Sequence, residues 1–240
     1  DDPTDYVYFK NYYIAPSYNF DLGEKDDLSV IASYQHREYV RQQGIPHGNS
    51  STYKSYSHNL FFGEPDHGYN VNVYRAGANY AHYFDNWTYK QNFAVTKTDT
   101  QGDAVLAVSN TTLPTIKRAV NNQDKQDINY TLDNNLQRNF NFEHINYDVM
   151  VGLDMMRERS DYYRRTDTIN DFDVNNPSYG NISIKKVGLP TEEITYSQYA
   201  GLYLRNTIKI DDDWIIGLSG RHDWTQVEID NILTNTTTKN

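Results

Sequence analysis

The chain has 240 residues and carries 32 Asp and Glu against 22 Lys and Arg, a net charge of −10, with a mean hydropathy of −0.82. It has no cysteine, which excludes disulfide frameworks, thiolate zinc sites and cysteine nucleophiles. Its acidic balance argues against nucleic acid as a partner, because phosphate binding needs clustered cations. Aromatic residues make up 14% and include 22 Tyr. A disordered acidic chain is poor in aromatics, and tyrosine at this level suits a surface with one greasy and one wet side.

No stretch approaches the length of apolar chain that a transmembrane helix needs, but barrel strands alternate apolar and polar residues and escape a hydropathy search. Eight runs of period-two alternation follow one another. They cover about 6–20, 28–43, 71–84, 87–98, 128–141, 145–163, 194–210 and 214–230. In the sixth, Tyr147, Val149, Val151, Leu153 and Met155 share a face opposite Asp148, Gly152 and Asp154. In the seventh, Ala200, Leu202, Leu204, Ile208 and Ile210 oppose Ser197, Arg205, Thr207 and Lys209. In the eighth, Trp214, Ile216, Leu218 and Trp224 oppose Ser219, Arg221 and Asp223. Such strands fit a sheet between lipid and a wet lumen, and equally a half-exposed soluble sheet.

The connections separate the two readings. Tight polar turns at 21–27, 85–86, 142–144 and 211–213 alternate with long Gly-, Asn-, Ser-, Tyr- and Pro-rich stretches at 44–70, 99–127 and 164–193. Short turns at one end and long loops at the other mark an outer-membrane barrel, whereas a compact soluble domain seldom carries three structureless loops of that size. The opening Asp1-Asp2-Pro3-Thr4 is not a signal peptide, and the tail NILTNTTTKN reads as the start of another long loop. The expectation is an all-β, antiparallel transmembrane β-barrel segment. It would be an internal slice of about eight strands from a larger barrel, with 1–240 forming part of one barrel domain. A complete small barrel and a soluble sandwich or propeller are the alternatives.

Four stretches resemble the barrel half of TonB-dependent ferric siderophore receptors, the ferrichrome or hydroxamate branch in particular. They are YYIAPSYNF (residues 12–20), FFGEPDHGYN (61–70) leading to YFDNWTYKQNF (83–93), FEHINYDVMVGLDMMRERSD (142–161), and YAGLYLRNTIKIDDDWIIGLSGRHDW (199–224). Their order also fits. The resemblance implies a 22-stranded barrel in the bacterial outer membrane with an N-terminal plug outside this stretch. It implies uptake of a ferric siderophore energised through the TonB complex, which would contact the plug, and no catalysis. Iron would stay with its chelator, so no protein cofactor or metal site is implied. Outer-membrane lipid and lipopolysaccharide are the remaining expected partners. His222 departs from the family's aromatic after Gly-Arg, and 41–47 reads Arg-Gln-Gln-Gly-Ile-Pro-His where the ferrichrome branch has ligand-contacting aromatics. A passive porin or adhesin barrel and a soluble glycan-binding domain are the competing functions.

Receptors of this kind hold wrapped chelates with aromatic walls and a few hydrogen bonds. The candidate vestibule residues are therefore His47, Tyr53, Tyr56, Phe61, Phe62 and Tyr69. The plainer reading is that Tyr-rich loops pack on one another. His47, His58 and His67 match no common zinc spacing. The stretch 171–175 starts like a calcium loop but has Asn176 and Ile182 where glycine and glutamate belong. Arg157, Glu158, Arg159, Arg164 and Arg165 sit at the long-loop end, where charges meet lipopolysaccharide phosphates or other loops. Arg221 and Asp223 point to the polar face, with no nucleophile beside them for general acid–base work. Trp87 and Trp214, each just after a tight turn, fit an aromatic girdle, with Trp224 at a strand end. The Asn-x-Ser/Thr triplets arise by chance in so Asn- and Thr-rich a chain.

Overall fold

The computed structural model describes residues 4–41, 57, 59–108, 114–211 and 213–240. His47, His58, Tyr53 and Tyr56 lie outside the described residues. The strands are β1 (Phe9–Ile14), β2 (Ser17–Asp21), β3 (Asp26–Tyr39), β4 (Tyr69–Tyr83), β5 (Thr88–Ala107) and β6 (Thr115–Ile116). After them come β7 (Arg118–Asn141), β8 (Ile145–Thr168), β9 (Phe172–Asp173), β10 (Thr191–Ile210), β11 (Trp214–Asn231) and β12 (Thr236–Lys239). Ten of them make one antiparallel sheet in the order β1-β3-β4-β5-β7-β8-β10-β11-β12, with β2 also on β3. β6 and β9 form a small separate sheet. Among the described residues no helix is long and apolar enough to cross a membrane.

Register sorts side chains into two faces, because neighbouring residues of a strand point opposite ways. Ala78, Phe93, Leu132, Met155, Ala200 and Trp224 line up across six strands on one face. One residue along, Asn79, Asn92, Asp133, Asp154, Gly201 and Asp223 line up on the other. The apolar face covers residues 145–155 of β8, 200–210 of β10 and 214–224 of β11 in mutual register. Each of these stretches matches the ~9–11 residues that a tilted strand needs to cross a bilayer.

Several boundaries differ from the sequence reading. The first run is divided at Ala15 and Pro16, since proline lacks the N–H a ladder needs. Both halves stay in one register on β3, and the Ala32 amide donates to the Pro16 carbonyl at 3.0 Å. β5 and β7 extend through most of the expected 99–127 loop, pairing from Asp99↔Gln126 up to Ala107↔Arg118. Just above the apolar belt, at 98–101 and 124–127, both faces of this hairpin are polar, so alternation carries no signal there. The backbone ladder and pairs such as Gln126 Nε2 to Asp99 at 2.8 Å hold it instead. β8 likewise continues to Thr168. The tail folds back as β12 on β11, with Thr237 donating to Asp230.

Candidate functional site

The polar face of the sheet carries a built charge cluster. Arg221 donates from Nη2 to both carboxylate oxygens of Asp154 at 2.8 Å and from Nε to Asp223 at 2.8 Å. Its guanidinium lies over the rings of Tyr199 and Tyr203, 5.4 and 5.7 Å from their centroids. Tyr199 donates to Asp223 at 3.0 Å, and Tyr203 to Asp133 at 2.8 Å. Glycines make the room. A Cβ at Gly201 would overlap Arg221, and one at Gly152 would overlap the Tyr203 ring. The expected polar-face pair Arg221 and Asp223 is thus part of a larger network whose other members come from β7, β8 and β10.

Nearer the long-loop end the same face carries an aromatic arc. Phe9 pairs with Tyr39 and Tyr39 with Tyr69, their rings 6.2 and 5.6 Å apart. Tyr13 is two rows below on β1 and open to solvent. Burial raises the Tyr69 hydroxyl above its ordinary pKa, and Tyr39 adds to it. Of the candidate vestibule residues, Tyr69 belongs to this arc. Phe9, Tyr13 and Tyr39 join it through strand pairing, which a linear search for loop aromatics misses.

Phe61 and Phe62 are placed differently from the expectation. Each is 2% exposed and turned away from solvent. Phe62 packs with Ile116, Phe172 and Val174, edged by Leu60, Ala107 and Tyr179. Val105, Val120 and Ile169 form a second cluster beside Ile182. Rings on long loops bury their apolar area against one another, and here they close a dry cap from three inter-strand segments. Its polar centre is an ion pair between Arg118 and Glu64 at 2.8 Å, whose side chains are 1% and 2% exposed. Arg118 also donates to the Gly63 carbonyl at 3.2 Å and stacks on Phe172, while Glu64 accepts the Gly180 amide at 2.8 Å. Tyr179 donates to the Phe61 carbonyl at 2.8 Å, and burial, then Tyr6, raises its pKa. Tyr6 meets Tyr179 edge to face, centroids 5.1 Å apart, bringing residues near the start of the described chain to the cap.

The remaining expected features have local roles. His67 lies 2.9 Å from Asp103. Asp173 caps the Asn175 amide at 2.9 Å while Phe172 enters the core, so that stretch is a turn of the cap. Arg159 binds Asp161, Arg164 binds Asn121, and Arg165 binds Asp167. Arg157 tops the apolar face of β8. Trp214 and Trp224 stand exposed at the two ends of the apolar face of β11.

Residues 4–240 match the family described as TonB dependent receptor-like, beta-barrel. The ferrioxamine receptor of Yersinia enterocolitica is 24% identical over 95% of this chain and 34% of its own length. The siderophore receptor PiuA of Acinetobacter baumannii superposes with a TM-score of 0.83 at 17% identity, over 97% of this chain and 38% of that one. The ferric-catecholate import receptor Fiu of E. coli K12 gives 0.79 at 19% identity, over 96% and 39%. The chain therefore spans a little over a third of the length of these proteins. An apolar belt of strand-crossing length, short turns at one end, a loop cap at the other and a match along almost the whole chain agree: the chain belongs to the TonB-dependent receptor β-barrel family of the bacterial outer membrane.

Proposed function

We propose that the receptor containing this chain imports a ferric siderophore of the hydroxamate type across the outer membrane, energised through TonB. The observation that carries the reading is the 24% identity to a ferrioxamine receptor across 95% of the chain. The catecholate receptor among the structural neighbours shares the fold at lower identity and does not set the ligand class. The chain acts as wall and loops of a receptor, not as a catalyst. Iron remains inside its chelator, so the protein supplies no metal ligands and needs no cofactor. Phe9, Tyr13 and Tyr39 offer the aromatic wall, with the buried Tyr69 packed behind Tyr39, and His47, Tyr53 and Tyr56 are the proposed loop contacts. Phe61 and Phe62 serve by holding the cap.

The test is radio-iron uptake by cells lacking the full-length gene, complemented or not. Ferric iron is supplied as a trihydroxamate, a triscatecholate or citrate. Restoration by the trihydroxamate, abolished when TonB is deleted, is the expected result. Restoration by the catecholate alone overturns the ligand class, and restoration that survives TonB deletion points to a passive porin.

A further inference from the structure

One arginine on the apolar face has no partner of its own kind. Arg138 of β7 lies opposite Val149 of β8, in a row that continues through Asn206 to Leu218. Taken alternately, residues 130–140, 145–155, 200–210 and 214–224 make up this face. Arg138 is their one Lys, Arg, Asp or Glu.

It is nevertheless held in place. Its guanidinium carbon sits 4.3 Å from the Phe140 ring centroid and 5.3 Å from that of Trp87. Phe140 is two residues closer to the β7–β8 turn, and Trp87 borders the β4–β5 turn. The side chain therefore leans toward the short-turn end, as a long cation does when it carries its charge to a bilayer interface. Nε is buried without a hydrogen-bond partner, and among the described residues no carboxylate neutralises the group. Asp85, at the same end, is 3.7 Å from Lys25. Arg159, Arg165 and Arg221 all have carboxylates in hydrogen-bonding range. Arg138 is thus oriented by two rings and left without an anion.

We propose that Arg138, Trp87 and Phe140 form a binding site for the phosphate of a glycerophospholipid in the leaflet that meets the short turns. A planar guanidinium offers paired donors to phosphate oxygens, and the two rings fix its plane while lying level with the acyl-chain boundary. Lipopolysaccharide carries phosphates too, but it occupies the leaflet at the long-loop end. The site rests on the outer-membrane barrel reading, with the short turns in the periplasm.

The test uses the full-length receptor in detergent, with native mass spectrometry against phosphatidylglycerol, diacylglycerol of the same chains, and lipid A. Heat-modifiable gel mobility reports barrel folding for each protein. The wild type should retain phosphatidylglycerol and not diacylglycerol. Arg138→Gln should weaken retention about tenfold, and Arg138→Lys by less, since a point charge keeps attraction but loses the fork. If Arg138→Gln fails to fold, Trp87→Leu, which keeps the charge and removes a ring, should also weaken retention. Equal retention by wild type and a folded variant overturns the site, as does Arg138-dependent preference for lipid A. A wild-type protein without heat-modifiable mobility would instead overturn the barrel reading beneath it.

Discussion

The wall and the loop cap satisfy the same demands by opposite means. In the wall, backbone groups are paired strand to strand, and the large apolar side chains point out of the sheet. Leu204 is 45% and Leu218 62% exposed, and among the described residues no second layer covers them. Lipid is their solvent, so exposure here is the working state and not a defect. The cap faces water and behaves like a small soluble protein. Its phenylalanine rings are buried, its central ion pair is dry, and its strands β6 and β9 are two residues each. Burial therefore measures stability in the cap and says little about it in the wall. The same chemical change should cost more in the cap.

The strongest way to break this contrast is to remove one half of the buried pair. Arg118→Met strands the Glu64 carboxylate, and losing one partner of a buried pair costs about 3–5 kcal/mol. Hydrogen exchange on the full receptor should show lost protection around 60–64 and 172–180, with β8 and β10 unchanged. Adding Glu64→Gln should restore much of it, because the uncompensated charge is then gone. Unchanged protection in Arg118→Met would mean that the apolar cluster alone holds the cap.

Truncation of apolar residues sharpens the comparison further. Phe172→Ala opens a cavity in the cap and should cost about 3–5 kcal/mol. Leu204→Ala on the wall leaves no cavity, because lipid fills the space, and only the transfer difference of about 1–2 kcal/mol remains. Cap loss is read by exchange at 60–64 and wall loss by denaturant unfolding from vesicles. Equal losses would place Leu204 in a protein core.

A charge on the wall should matter less than one in the cap. Arg221 and Asp154 are 37% and 26% exposed, so water can replace either partner. Arg221→Met should therefore shift the unfolding midpoint only slightly, as the loss of an exposed or half-exposed pair does. Vesicle unfolding midpoints of the variant and wild type measure this. A loss matching that of Arg118→Met would show the network to be enclosed in the full receptor.

These two regions were also unequally legible in the sequence. β8, β10 and β11 announce themselves, since each crosses the belt with strict alternation and begins or ends at a short polar turn. The upper β5–β7 hairpin does not, because residues such as Thr98, Asp99, Gln126 and Asp127 are polar on both faces and only pairing identifies them as strand. The aromatic arc of Phe9, Tyr39 and Tyr69 depends on the registers β1–β3 and β3–β4, which no local pattern specifies. The Arg118–Glu64 pair joins positions 54 apart, and neither residue stands in a motif. Tyr69 was accessible as a loop-end aromatic, but the same cue also selected Phe61 and Phe62. Composition does not say how deeply a loop-end ring is buried, and all three are 6% exposed or less.

The smallest effect expected is a pH response at the junction of wall and cap. Asp167, near the top of β8, accepts from Arg165 Nε at 2.7 Å and from the amides of Val187 and Gly188 at 2.9 and 3.2 Å. Arg165 first, and then those two amides, hold its carboxyl below the ordinary Asp value of 3.8. A depressed carboxyl stabilises the folded form fully at pH above the unfolded value, and that stabilisation disappears as pH falls through the lower folded one. The Val187 and Gly188 contacts should therefore persist at pH 5 and weaken only below 3.8. Amide chemical-shift titration of the full receptor in micelles reads this directly. Asp167→Asn should shift the same amides at neutral pH and abolish their acid transition. A transition at 187–188 that persists in Asp167→Asn would assign it to another carboxylate, and would separate this loop from the wall that Asp167 ties it to.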